Sequence, residues 1–131
     1  MSYDTHKKYR ILIIDDDEAN RKVMEMLLVR ENFEPILAPN GRIGLELAHS
    51  QKPAIIVLDV FMPRENGFDL LKQFKADHEL NHIPVLLFTI LDREESRQKA
   101  MELGACAYIT KPFDMKEVVS HIKKNLIGRT E

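Results

Sequence analysis

Short apolar runs alternate with helical patterns along this chain, and no other feature constrains its fold as much. Five runs stand out, at 9–14 (YRILII), 33–38 (FEPILA), 54–58 (AIIVL), 85–88 (VLLF) and 105–109 (ACAYI). Three are nearly unbroken in Ile, Val and Leu, as strands are when both faces of a parallel sheet are covered. The run at 33–38 carries Pro35 and is more polar. A proline offers no ladder donor, so this run reads as an edge or short strand.

The intervals carry helical spacing. Residues 18–30 place Val23, Met26, Leu27 and Arg30 on one stripe, with Leu28 alongside. Ile43, Leu45, Leu47 and Ala48 follow Asn40-Gly41, and Phe68, Leu71 and Phe74 follow Asn66-Gly67. Residues 94–103 form a fourth pattern that stops at Gly104, a good helix end. The last stripe is Met115, Val118, Val119, Ile122 and Leu126, with Asp114 where an N-cap belongs. The order βαβαβαβαβα with short connections predicts right-handed crossovers and an α/β fold, a doubly wound parallel sheet of five strands.

The 131 residues make a single domain over 1–131, with a core at about 9–127 and short frayed tails. Lys+Arg is 19 against Asp+Glu 21, so nothing in the charge points to nucleic acid or a membrane surface. One cysteine cannot form an internal disulfide, and no run approaches the ~20 apolar residues of a membrane span. The opening MSYDTHKKYR lacks the apolar core of a signal peptide, so the expected location is the cytoplasm.

In open α/β sheets, ligands bind beyond the carboxyl ends of the strands. Run one is followed by Asp15, Asp16, Asp17 and Glu18, run three by Asp59, run four by Thr89, and run five by Thr110, Lys111 and Pro112. Any one of these acids also reads as a turn former or helix cap, Asp17 above all. Together they converge carboxylates, a hydroxyl and an ammonium on one sheet edge. Adjacent carboxylates repel unless a cation lies between them, and Mg²⁺ suits one or two carboxylates plus a phosphate. A carboxylate is also a nucleophile toward phosphorus, and a lysine and a threonine hydroxyl suit the oxygens of a moving phosphoryl group.

The motifs ILIIDDDEANR, IIVLDVFMPRENGFDLL, PVLLFT and GACAYITKPF, in this order, resemble the receiver domain of bacterial two-component response regulators. The resemblance runs from about Arg10 to Leu126 and implies a flavodoxin-like sheet of strand order 2-1-3-4-5. It implies that Asp59 is the phosphoacceptor, charged by a histidine kinase's phosphohistidine or a histidine phosphotransfer protein. It implies that Asp15, Asp16, Asp59 and the backbone carbonyl of Phe61 hold Mg²⁺. Thr89 and Lys111 are then the hydroxyl and cation that meet the phosphoryl oxygens. Tyr108 is the aromatic switch that moves inward with Thr89, and Pro112 is the family's cis proline. The switched face is the fourth helix, fifth strand and fifth helix, roughly 92–127 here, which meets an output partner or pairs in a homodimer.

The chain departs from the pattern at Ile90, where receivers usually carry a small residue; a bulky side chain there narrows the route to Asp59 and predicts a slowly hydrolysing phosphoaspartate. Leu91 offers no polar group to guide water, and Asn66 stands where an acid is common. Two other readings compete. A receiver that is never phosphorylated would act only as an interaction module. A haloacid dehalogenase-type phosphatase would use Asp15 as nucleophile, but Ala19 stands where Thr or Val is needed and no late acidic pair follows Lys111. The chain ends just past the fifth helix, which fits either a single-domain regulator or a domain of a longer regulator or hybrid kinase.

The remaining candidates read more simply. Cys106 is a small core residue, His78 and His82 lie in a loop before Pro84, and His121 sits on a solvated helix face. His6, Lys7 and Lys8 belong to a tail, while Met24, Met26 and Met101 are core filler.

Overall fold

Five parallel strands form one sheet in the order β2-β1-β3-β4-β5. They are β1 (Arg10–Ile14), β2 (Glu34–Ala38), β3 (Ile55–Asp59), β4 (Val85–Thr89) and β5 (Ala107–Thr110). The helices are α1 (Glu18–Arg30), α2 (Gly41–Gln51), α3 (Gly67–Ala76), α4 (Glu94–Glu102) and α5 (Met115–Leu126). The computed structural model describes residues 8–62, 64–90, 92–111 and 114–126, apart from the side chain of Met115. This is the doubly wound five-stranded architecture expected from the alternating runs.

Strand periodicity divides the core in two. Leu12, Ile14, Ile56, Leu58, Val85 and Leu87 face one side, where Ala48 of α2, Leu71 and Phe74 of α3 and Ala100 of α4 cover them. Ile11, Ile13, Ile55, Val57, Leu86 and Phe88 face the other, against Met24, Leu27 and Leu28 of α1 and Val118, Ile122 and Leu126 of α5. Burial of each large side chain contributes ~1.5–3 kcal/mol, so the two layers supply most of the driving force.

Pro35 lies on the edge strand β2, as its ring requires. Glu34 donates its N–H to the Tyr9 carbonyl at 2.9 Å, so the next backbone nitrogen, that of Pro35, faces the open side where no donor is needed. The helices start on side-chain caps: Asp17 accepts from Ala19 N–H, Asn40 from Ile43 N–H and Asn66 from Phe68 N–H. Asp114 accepts from Lys116 N–H at 2.9 Å, the cap predicted for α5. Gly104 follows α4 at φ +99°, a left-handed position that suits a residue without Cβ.

Helix α1 is rotated from the predicted stripe. Met24, Leu27 and Leu28 are buried, whereas Val23 and Met26 are 43% and 67% exposed. Met101 is also exposed, so of the three methionines read as core filler only Met24 is one. Cys106 is half-buried at the rim of the core rather than inside it, and burial pushes its thiol pKa up to about 11. His78 and His82 do lie outside helices, in the 77–84 connection. The proposed cis proline, Pro112, lies outside the described residues.

Candidate functional site

The sheet order places β1, β3, β4 and β5 side by side, so their carboxyl ends share one edge. Ile14 pairs with Leu58, which sets Asp15 level with Asp59; Asp59 pairs with Phe88, and Thr89 with Thr110. Lys111 donates its N–H to the Thr89 carbonyl at 2.7 Å, which carries its side chain over the same edge. Thus the sheet alone brings together Asp15, Asp59, Thr89 and Lys111, which lie far apart in sequence.

Asp15, Asp59 and Thr89 are the buried polar side chains of the described residues, and Asp16 beside them is exposed. The Lys111 ammonium sits 3.2 Å from Asp59 Oδ2, 3.6 Å from Asp15 Oδ2 and 4.5 Å from the centre of the Phe88 ring. Asp59 Oδ1 accepts from Phe61 N–H and Asp15 Oδ1 from Asp17 N–H, both at 3.0 Å. Arg21 donates to the Asp15 carbonyl at 2.7 Å and steadies the turn.

Burial raises the pKa of Asp59 above its ordinary value; Lys111 and the Phe61 amide pull it back, and Asp15 raises it further. Asp15 is likewise raised by burial, opposed by the Asp17 amide and Lys111 and aided by Asp16. One ammonium therefore undercompensates three carboxylates. Oxygens of Asp15, Asp16 and Asp59 lie within 4.8 Å of one another, a spacing that suits one hard divalent cation. Asp15 Oδ2 is buried and takes no hydrogen bond among the described residues. Its one cationic neighbour among those residues is Lys111 at 3.6 Å, shared with Asp59, which leaves a buried charge undercompensated, so the donor set fits Mg²⁺.

The family model for the response regulator receiver domain matches residues 11–123. The chain belongs to the response regulator receiver family. The response regulator PleD of Caulobacter vibrioides is 42% identical over 105 residues, which are 80% of this chain and 23% of PleD. The alkaline phosphatase synthesis regulator PhoP of Bacillus subtilis is 35% identical over 93% of this chain and 50% of its own length. The chain thus spans half or less of these relatives. Among solved structures, the chemotaxis protein CheY4 of Vibrio cholerae superposes with a TM-score of 0.85 at 25% identity, covering 92% of this chain and all of CheY4. A receiver domain of a histidine kinase from Syntrophus aciditrophicus gives 0.83 at 31% identity, over 94% and 95% of the two chains. Receivers accept a phosphoryl group in two-component signalling and are not enzymes in the ordinary sense, which sets aside the dehalogenase-type reading.

In this receiver Tyr108 is already inward, 5% exposed and packed in the core. Arg97 of α4 donates to the Tyr108 carbonyl at 3.0 Å, and its guanidinium lies 5.1 Å from the ring centre. Two apolar side chains stand exposed at the rim of the site, Phe61 two residues past Asp59 and Ile90 one past Thr89. The sequence singled out the Phe61 carbonyl and the bulk of Ile90, but no periodicity signals which way either side chain faces. It missed Glu65, whose carboxylate reaches across to α2.

Proposed function

We propose that this chain is a phosphoacceptor switch in which Asp59 takes a phosphoryl group from a phosphohistidine on a histidine kinase or a histidine phosphotransfer protein. One observation carries the reading: a buried carboxylate with its Oδ2 held at 3.2 Å by Lys111 and flanked by two more carboxylates. An Asp59 oxygen forms the new O–P bond as the P–N bond to imidazole breaks, and the imidazole nitrogen leaves with the electron pair. Asp15, Asp16, Asp59 and the Phe61 carbonyl would hold Mg²⁺, which offsets charge on the transferred group. Lys111 bonds a phosphoryl oxygen, and Thr89, at the end of the neighbouring strand, offers its hydroxyl to another.

Phosphorylation turns the single carboxylate charge of Asp59 into an acyl phosphate of about −2, a net gain of about one negative charge and three acceptor oxygens beside Thr89 and Lys111. Thr89 and Tyr108 lie on adjacent strands, so the event is felt on α4, β5 and α5, the face we assign to an output partner or a homodimer. Ile90, 58% exposed at the rim, slows water's approach to the phosphoaspartate. No described helix is long and apolar enough to cross a membrane, and a cytoplasmic single receiver domain fits the reading.

A direct test uses phosphoramidate, a small donor with the same P–N bond. With Mg²⁺, the wild type gains a phosphoryl group that hydroxylamine removes, as it removes acyl phosphates. Label that survives hydroxylamine, or that forms equally on Lys111→Ala, would contradict the proposed chemistry.

A further inference from the structure

The loop after Asp59 folds back as a two-residue ladder, Phe61–Met62 against Glu65–Asn66, pairing Phe61 with Asn66 and Met62 with Glu65. Gly67 closes it, donating to the Val60 carbonyl at 3.1 Å; a Cβ there would stand 2.4 Å from Val60 Cα. Glu65 leaves the ladder for another element. Its two carboxylate oxygens accept from the Gly41 N–H at 2.8 and 3.1 Å, at the first turn of α2. Gly41 permits this approach, because a Cβ there would lie 2.4 Å from Glu65 Oε1. The carboxylate also meets the positive end of the α2 dipole.

The tether ends close to Asp15. Three residues before Gly41, the Ala38 carbonyl accepts the Asp15 N–H at 3.1 Å. A closed circuit therefore runs from Asp59 through Phe61 and Glu65 to Gly41, then through Ala38 to Asp15. It surrounds a cleft of about 240 Å³ lined by Asp16, Asn40, Met62, Arg64 and Glu65.

We infer that Glu65 is a positioning residue for the cation site: its bond to Gly41 fixes the loop that carries the Phe61 carbonyl relative to the Asp15–Asp16 turn. The inference rests on the proposed Mg²⁺ site and gives it a support outside the ligands themselves. A six-ligand cation of strict geometry tolerates little play in a backbone ligand, so slack in this loop lowers affinity without removing a charge from the first coordination sphere.

The test is calorimetric titration of Mg²⁺ into the folded wild type, Glu65→Ala and Glu65→Gln, with amide exchange followed at Gly41 and Phe61. Glu65→Ala is expected to bind Mg²⁺ about 3- to 10-fold more weakly, less than the roughly 10- to 100-fold typical of groups that bond a metal ligand directly, because Glu65 acts through the loop. Its Phe61 amide exchanges faster. Glu65→Gln keeps an amide oxygen for Gly41 N–H and recovers most of the affinity, although it lacks the charge. If the Gln variant is as weak as the Ala variant, the long-range charge of Glu65 acts and the tether does not. If Glu65→Ala binds like the wild type, the inference fails while the site stands. If the wild type itself binds no Mg²⁺, the reading of the site fails, and this inference with it.

Discussion

Burial sets the electrostatics of Asp59, the proposed phosphoacceptor. Its folded pKa lies above the unfolded value near 3.8, chiefly because burial penalises the charge. The native state therefore holds the proton more tightly than the unfolded chain does. The contribution of Asp59 to stability is greatest below that pH, falls as pH rises from 3.8 to the folded pKa, and is level above it. Asp59→Asn removes the penalty. It is expected to raise the melting temperature at pH 7 without metal, each ~1 kcal/mol being worth about 4 °C at this size. Melting curves at pH 7 and at pH 3 check this: the gain should vanish at pH 3, and Mg²⁺ at pH 7 should narrow it by stabilising only the wild type. The residue types of the site were legible because each follows a strand run. Glu65 was not, because a side chain bonding a backbone 24 residues away leaves no periodic trace.

At the scale of elements, all five strands and five helices were visible in the apolar runs, but faces and joints were not. In α1, apolar residues occupy 23, 24, 26, 27, 28 and 29, most of the circumference, so spacing alone could not pick the buried side. Packing on Ile11, Ile13 and Val57 selects Met24, Leu27 and Leu28. Met24→Ala should therefore cost about 2–5 kcal/mol, and Met26→Lys less than ~0.5 kcal/mol, by urea unfolding. The glycines make a second contrast. A Cβ on Gly44 would meet the Cδ1 of Ile14 at 2.5 Å, a side-chain tip, whereas one on Gly67 would meet the backbone Cα of Val60. Gly44→Ala is expected to cost ~1–3 kcal/mol through overpacking. Gly67→Ala should cost more in the same assay and should slow phosphorylation as well, because the loop after Asp59 has to move.

For the whole molecule, one edge of the sheet gathers the chemistry and the adjacent strands carry its consequence. Tyr108 is buried in the core and Arg97 of α4 donates to its carbonyl, so α4 is tied directly to β5 within the face we propose for switching. On the proposed function, the lifetime of the phosphorylated form is set at the rim, where Ile90 stands one residue past Thr89. Ile90→Ala should shorten the phosphoaspartate half-life several-fold while leaving the melting temperature nearly unchanged, since the side chain is 58% exposed. The most direct measurement is an intact-mass spectrum of the wild type and of Asp59→Asn after incubation with acetyl phosphate and Mg²⁺. The wild type should gain one phosphoryl mass that is absent with EDTA and absent in the variant. A wild type that gains nothing at long times, or a variant that gains as much as the wild type, would contradict the assignment of Asp59 as the phosphoacceptor.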